Sequence, residues 1–237
     1  MSSLSIVMPA YNEEENVRDA VETVSQVAQE LDLDDYEIIL VNDGSSDRTG
    51  EIGRELEDEV DNFRLVEHYP NRGYGGALKA GFEAARKELI AFVPADNQFD
   101  FREVERLLER AQEADIVCGY RADRQDPFLR KMNAFGWNML VRALFGYLCR
   151  DIDCGFKLFR REVLDQVNLV SDGAMIDTEF LAGAKARGLR IVEEPVTHLP
   201  RRAGEATGAD LRVILKAFRD LVDFRLRLSR ELREERS

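Results

Sequence analysis

One stretch of the sequence decides the fold: Glu88-Leu-Ile-Ala-Phe-Val-Pro-Ala-Asp96-Asn-Gln98-Phe-Asp100. It begins as an apolar run too short for a helix and turns polar within two residues. This pattern predicts a buried strand that carries Asp96 and Gln98 at its carboxyl end, where open α/β sheets bind ligands. Asp100 precedes an amphipathic run and is predicted to cap a helix. Asp96 lies too early for a cap, and we interpret it as a ligand of a hard divalent cation.

The composition of the chain excludes several classes of protein. Its 237 residues carry a formal net charge of −13, which argues against nucleic-acid binding because that function needs a basic surface. The acidic, lysine-poor composition suggests a halophilic protein, with an ordinary acidic protein as the alternative. We expect no signal peptide, because a strand begins at once. We expect no membrane span, because no apolar run reaches roughly 18–20 residues.

The cysteines and histidines do not form a metal-binding pattern. Cys118, Cys149 and Cys154 include no C-x-x-C pair and are expected to be reduced thiols. His68 and His198 stand alone in the sequence, so we expect no histidine-rich metal site.

The first hundred residues alternate between strands and helices. Strands are predicted at 4–9, 36–41 and 63–67, and helices from just after Asn12 to about Leu31 and at 49–59. Asn12 is the predicted N-cap of the first helix, and Ser46 or Asp47 that of the second. Capping leaves the polar pair Asn42-Asp43 unexplained. The alternation predicts an α/β fold with a mostly parallel sheet and helices on both faces.

Three later segments leave alternatives open. The glycines of 71–81 permit either close packing of a loop on a helix or contact of backbone amides with a diphosphate. The apolar run 132–149 suits a buried helix, or one at a membrane interface. The final helix carries one apolar face, formed by Leu211, Ile214, Leu215, Phe218, Leu221, Val222, Leu226 and Leu232. That face predicts docking on the domain, pairing with another subunit, or membrane adsorption.

Four motifs, taken in order, resemble those of family-2 glycosyltransferases of the GT-A fold. They are Pro9-Ala-Tyr11-Asn12-Glu13, Asn42-Asp43-Gly44-Ser45-Ser46-Asp47, Asn71-Arg-Gly73-Tyr-Gly75 and Ala95-Asp96-Asn97-Gln98. The similar branch contains dolichyl-phosphate mannose synthases and polyprenyl-phosphate glucosyltransferases. The resemblance continues through 119–121, 151–157 and 201–205. We therefore predict a GT-A domain at 1–208 and a C-terminal amphipathic helix and tail at 209–237.

The resemblance implies roles for the matching residues. The nucleotide sugar would contact Pro9, Tyr11, Glu13, Asn42, Asp43, Gly73, Lys79, Ala95, Asp96 and Arg121, with Asp43 reading the base. Asp96 and Gln98 would hold Mg²⁺ or Mn²⁺. The predicted catalytic residues are Asp96, Arg121 and Arg201. The acceptor would lie near Lys131, Asp177, Glu179, Arg201 and Arg202. A solvated surface charge is the alternative interpretation of Arg121 and Lys131.

The implied reaction is inverting transfer of a mannose or glucose from a GDP- or UDP-linked sugar to a polyprenyl phosphate such as dolichyl phosphate. The expected location is the cytoplasmic face of a membrane, with peripheral contact or a membrane subunit as partner. Pro94 stands where the family usually has Asp, which predicts weaker metal binding and leaves a non-catalytic homologue open. Transfer to a hydroxyl is the other alternative, with Asp177 or Glu179 as base.

Overall fold

The computed structural model describes residues 3–122, 128–200 and 211–235. Within these ranges, the side chains of 128–131, 133, 134 and 211–218 are outside the description. Residues Arg201 and Arg202 therefore lie outside the described residues, as does the side chain of Lys131.

Among the described residues, seven strands form one sheet with helices on both of its faces, as the sequence predicts. The strands are β1 (Ser3–Ala10), β2 (Asp35–Asp43), β3 (Phe63–His68), β4 (Leu89–Phe92), β5 (Ile116–Arg121), β6 (Lys157–Arg160) and β7 (Ile191–Val196). Their order across the sheet is β3-β2-β1-β4-β6-β5-β7. Only β6, among these strands, runs antiparallel to its neighbours β4 and β5. The sheet is therefore mostly parallel, and the reversal at β6 was not predicted.

In the part of the chain that the structure describes, seven α-helices cover the sheet. They are α1 (Val17–Glu30), α2 (Thr49–Glu59), α3 (Tyr74–Ala84), α4 (Val104–Arg110), α5 (Phe128–Phe145), α6 (Met175–Ala186) and α7 (Leu211–Glu234). Helices α1, α2 and α4 share an apolar core with one sheet face. Helices α3, α5, α6 and α7 share a second core with the opposite face. None of the helices within the described ranges combines the length and apolarity needed to cross a bilayer.

The prediction that Asn12 caps α1 is wrong. The helix begins at Val17, and Asn12 lies five residues before it with a positive φ of 55°. Its side-chain oxygen instead accepts a hydrogen bond from the backbone N–H of Ser46, at 2.8 Å. Asn tolerates this left-handed conformation because its short side chain can bond locally. The residue therefore joins two loops at the carboxyl edge of the sheet.

Asp100 has the capping role that the sequence predicts. Its carboxylate accepts a hydrogen bond from the backbone N–H of Arg102, at 3.1 Å. The capped segment is one turn of 3₁₀ helix, Phe101–Glu103, which continues into α4. This capping leaves Asp96 as the carboxylate of the stretch without a helical explanation.

The apolar face of α7 differs from the predicted one. Leu221, Phe224 and Leu228 are buried in the core, whereas Val222 and Leu226 are exposed. The buried residues are spaced i, i+3 and i+7 and so form one narrow stripe, whereas the predicted face spanned too wide an arc. Phe224 stacks on Phe145 of α5 with ring centroids 5.3 Å apart. The described part of α7 therefore docks on the preceding domain, the first of the three alternatives.

Helix α5 is half buried and half exposed. Val141 packs in the core, while the exposed fractions of Met132, Phe135 and Met139 are 51, 66 and 58%. The helix ends at Phe145, and Gly146 follows with a positive φ of 75°. A glycine commonly ends a helix in this conformation because it has no Cβ. The helix is as long as the predicted run 132–149 but lies four residues earlier in the chain. It carries an exposed stripe formed by Met132, Phe135 and Met139, which we call the α5 stripe.

Candidate active site

A cavity of about 240 Å³ opens at the carboxyl ends of β1, β2 and β4. It is lined by Pro9, Ala10, Tyr11, Glu13, Asp43, Tyr74, Ala77, Pro94 and Asp96. Five predicted nucleotide-sugar residues are thus brought together: Pro9, Tyr11, Glu13, Asp43 and Asp96. A larger cavity of about 410 Å³, lined by Leu31, Leu89 and Arg160 among others, contains none of the predicted site residues. We therefore take the smaller cavity as the candidate active site.

Two loops interlock along one side of this cavity. The backbone N–H of Glu13 donates to Thr49 Oγ1 at 2.8 Å, and that of Glu14 donates to Asp47 Oδ2 at 3.1 Å. Asp47 Oδ1 accepts from the N–H of Thr49, so it also helps to start α2. These bonds and the Asn12 contact hold the backbone that carries Tyr11 and Glu13. The loop after β1 is therefore positioned by the loop after β2.

The polar pair that capping left unexplained divides into two roles. Asn42 donates to Glu67 Oε1 at 3.1 Å and accepts from the N–H of Ser45 at 3.2 Å, so it braces the loop and does not line the cavity. Asp43 lines the cavity. Its Oδ1 accepts from the N–H of Arg72 at 2.9 Å and lies 3.0 Å from His68 Nδ1. His68 is thus paired in the fold, although it stands alone in the sequence.

Asp96 follows β4 at the edge of the cavity. The N–H of Ala95 donates to Pro9 O at 3.2 Å, which carries the pairing with β1 beyond the end of β4. Ala95 itself is fully buried and holds this backbone in place. Asp96 Oδ1 accepts from the backbone N–H of Gln98 at 3.1 Å. The carboxylate is therefore fixed at the end of the strand, as predicted.

The surroundings of Gln98 add a residue that sequence reasoning set aside. Gln98 Nε2 lies 3.4 Å from His198 Nε2 and donates to Leu199 O at 3.3 Å. Asp96, Gln98 and His198 are thus linked by hydrogen-bond contacts through Gln98. The described residues contain no cluster of three His, Cys, Asp or Glu side chains able to hold a metal. Mg²⁺ commonly uses one or two carboxylates with substrate phosphates and water, and this donor set fits such a cation.

Arg121 ends β5 and forms a two-pronged ion pair with Asp151. Its Nε and Nη2 lie 2.6 and 2.7 Å from the two carboxylate oxygens. Both side chains are about nine-tenths buried, so Arg121 is not a solvated surface charge. Its role at the leaving diphosphate stays a prediction. Nearby, burial together with the charges of Asp177 and Asp151 raises the pKa of Asp153 to about 6.

Asp177, a predicted acceptor residue, belongs instead to a buried ion pair. Its Oδ1 lies 2.7 Å from Lys157 Nζ, and the lysine side chain has no exposed surface. Burial acts to lower the pKa of Lys157, but the charge and hydrogen bond of Asp177, together with Cys118 and Cys154, outweigh it, so the pKa is raised. Burial and the charge of Asp177 raise the pKa of Tyr74, which lines the cavity. The pair therefore supports one wall of the candidate site.

Glu179, the other fallback base, has a structural role. Its Oε2 accepts from the N–H groups of Val170 and Ser171, both at 2.9 Å. Its Oε1 accepts from Ser171 Oγ at 2.8 Å and from Arg227 Nη2 at 2.5 Å. Four donors and almost complete burial leave this carboxylate poorly suited to take a proton from an acceptor. It joins α6 and α7 to the preceding loop.

The glycine-rich turn is explained by close packing. Asp172 O accepts from the N–H of Gly75 at 2.8 Å, and a Cβ on Gly75 would lie 2.4 Å from Ser171 O. Gly73 directly precedes α3 with a φ of 83°, and its added Cβ would lie 2.5 Å from Asp172 O. The N–H of Gly73 donates to Asn71 Oδ1 at 2.9 Å, so both amides already have protein acceptors. Lys79 also has a protein partner, since its ammonium lies 2.6 Å from Asp172 Oδ1.

The comparisons with known proteins give the family and the fold. The model of glycosyl transferase family 2 matches residues 5–167. The glycosyltransferase AglD of Haloferax volcanii is 36% identical over 209 residues, which are 84% of this chain and 33% of that protein. The chain thus spans about a third of the length of this curated relative.

Two solved structures of glucosyl-3-phosphoglycerate synthase from Mycobacterium tuberculosis are similar to this chain. The complex with Mn²⁺, UDP and phosphoglyceric acid has a TM-score of 0.70 and 19% identity, covering 96% of this chain and 78% of that one. The complex with Mg²⁺ and UDP has a TM-score of 0.67 and 18% identity, covering 96 and 79%. At these identities the likeness concerns the fold, which is GT-A.

Proposed function

The chain belongs to glycosyl transferase family 2, and on that premise we propose that it transfers a hexose from a nucleotide sugar to a polyprenyl phosphate. The observation that carries the proposal is the cavity that collects Pro9, Tyr11, Glu13, Asp43 and Asp96 at the carboxyl edge of the sheet. Ligands of open α/β sheets bind at this edge. The mycobacterial synthase binds UDP with Mn²⁺ or Mg²⁺, which supports a UDP-linked or similar donor.

The donor half of the site divides its work between two carboxylates. Asp43 would accept a hydrogen bond from a ring N–H of the base, and Asp96, with Gln98, would hold Mg²⁺ or Mn²⁺. The cation supplies positive charge for the phosphate oxygens of the leaving nucleoside diphosphate. Pro94 lines the cavity where the family usually has a second Asp. Coordination would therefore rely more on phosphate oxygens and water, and His198, which lies beside Gln98, would be a further ligand.

The choice of a phosphate acceptor follows from two carboxylates that already have protein partners and so are poorly suited to serve as a base. Asp177 is paired with Lys157, and Glu179 receives four hydrogen bonds, so neither is suited to activate a hydroxyl. A phosphate is already an anion at neutral pH and attacks the anomeric carbon without a strong base. A single displacement of this kind inverts the configuration at that carbon. Arg201, Arg202 and Lys131 are the proposed cations for the acceptor phosphate.

The acceptor proposal is tested by comparing a short polyprenyl phosphate with the corresponding free alcohol. We expect transfer to the phosphate alone, and we expect Arg201→Lys to slow it roughly tenfold because lysine cannot form the bidentate contact. Donor binding should change less. Equal rates on the phosphate and the alcohol would favour a hydroxyl acceptor. No transfer or donor hydrolysis with any sugar nucleotide would favour a non-catalytic homologue.

We also propose that the protein binds peripherally to the cytoplasmic face of a membrane, where a lipid-linked acceptor is found. The α5 stripe supports this, because its three large side chains are more than half exposed and share one helix face. Arg142 lies over the ring of Tyr147, 5.1 Å from its centroid, at the end of the same helix. Tyrosine and arginine at the border of an apolar face suit a headgroup region.

Met139→Asp is expected to reduce flotation with liposomes severalfold, because a charge in the acyl region costs about 2.5–3.5 kcal/mol at full depth and less near the interface. Tyr69→Asp is the matched control, because it places the same charge at a large exposed side chain outside the α5 stripe. Tyr69 is 95% exposed and follows β3, an edge strand of the sheet. It should float as the wild type does. Equal flotation of both variants, or a wild type that never floats, contradicts the peripheral model.

A further inference from the structure

The carboxylate of Asp43 is held by two donors on a single oxygen. Oδ1 lies 3.0 Å from His68 Nδ1 and accepts from the N–H of Arg72 at 2.9 Å. The residue is only 3% exposed, yet it lines the candidate cavity. Within the described residues, no donor is directed at Oδ2. This second oxygen is therefore the one that remains for a ligand.

His68 is placed opposite Asp43 by the sheet itself. The parallel register of β2 and β3 pairs Asp43 with His68, and both side chains are buried. The chain then turns so that Arg72 presents its N–H to the same oxygen. Gly44 permits this close approach, because a Cβ there would lie 2.6 Å from Asn71 N. One segment, residues 68–72, thus braces the carboxylate from behind.

A buried carboxylate needs such bracing for two reasons. Its terminal torsion is broad, so an unheld carboxylate samples many orientations. An anion removed from water also requires hydrogen bonds to its oxygens. The imidazole supplies a hydrogen bond when Nδ1 carries the proton. Because both donors are on Oδ1, Oδ2 is left available to a ligand in the cavity that Asp43 lines.

We infer that His68 is a positioning residue for donor recognition, which fixes the Asp43 carboxylate so that Oδ2 meets the nucleobase. The inference rests on the proposed function, because it places the donor nucleotide in this cavity. A carboxylate oxygen only accepts hydrogen bonds. The matching bases therefore present a ring N–H, as uracil and guanine do, whereas cytosine presents an acceptor at the corresponding ring nitrogen. His68 thus contributes to base selection without touching the base.

The test compares His68→Leu with His68→Asn by calorimetric titration of UDP, GDP and CDP in the presence of Mg²⁺. Asparagine carries an amide N–H close to the position of Nδ1, whereas leucine carries none. We expect His68→Leu to bind the nucleotide that the wild type prefers about tenfold more weakly, the scale of one hydrogen bond to a charged group. The ratio of its affinities for that nucleotide and for CDP should also be smaller than in the wild type. His68→Asn should keep most of the wild-type affinity and most of the preference over CDP.

The outcomes separate this inference from the function it rests on. A wild type that binds none of the three nucleotides overturns the proposed function. A wild type that binds, with His68→Leu and His68→Asn equal to it in affinity and preference, overturns the role of His68 alone. If His68→Leu does not fold, His68→Gln takes its place, because its longer amide reaches the Nε2 position rather than Nδ1. Equal binding by His68→Gln and His68→Asn then contradicts the inference.

Discussion

Lys157→Met is expected to lower the free energy of unfolding by about 3–5 kcal/mol, the usual cost of leaving one partner of a buried ion pair alone. The ammonium has no exposed surface, lies 2.7 Å from Asp177 Oδ1, and also donates to the carbonyl of Cys154. It lies 5.1 Å from the centre of the Phe92 ring as well. Urea denaturation measures the change, provided that the dependence of the unfolding free energy on urea concentration is the same for both proteins.

The double variant Lys157→Met, Asp177→Asn is the control. It removes both charges together, so no uncompensated ion is left in the core. We expect it to recover most of the stability lost in Lys157→Met. A double variant as unstable as the single one would show that lysine packing, rather than the ion pair, holds this region.

The fold was largely predictable because local periodicity reports burial. The helix at 49–59 has the predicted bounds, and β1 and β2 exceed theirs by only one or two residues. The direction of β6 was not predictable, because four residues pair with strands far away in the sequence. Local pattern does not encode which way such a short strand runs. The exposed side of α7 was missed for a similar reason, since the arc that packs depends on its neighbours.

The sequence predicted which motif residues line the site, because each of them lies at or just after the end of the strand that carries it. Asp43 and Asp96 reach the same cavity because the carboxyl ends of parallel strands meet at one edge. The partners of these residues were not predictable. His68 lies 25 residues from Asp43, and His198 lies 100 residues from Gln98. Glu179 resembled a first-turn acid, and only the packing of α7 gives it the partner Arg227.

Asp96→Asn is expected to slow sugar transfer by about 10²-fold or more, the scale for losing a main stabiliser of charge in the transition state. Asparagine keeps the shape of the side chain but removes the negative charge that attracts a hard cation. The loss should appear in kcat and in the concentration of Mg²⁺ or Mn²⁺ required. Initial rates with the preferred sugar nucleotide, measured across a metal titration, give both quantities.

Asp100→Asn is the matched control, because it changes a carboxylate four residues away in the same loop. Asn caps a helix as well as Asp does, so stability should change little. Its rate and metal requirement should equal those of the wild type. Full activity of Asp96→Asn, or full activity of the wild type in excess chelator, contradicts the assignment of Asp96.

The most direct test of the donor site is the anomalous scattering of Mn²⁺ in crystals grown with a nucleoside diphosphate. We predict a manganese peak within bonding distance of Asp96, and a nucleotide whose base lies at Asp43 in the cavity of β1, β2 and β4. Asp96→Asn crystals should lose most of the peak. Manganese and nucleotide bound together at another place on the protein, with this cavity vacant, would contradict the account.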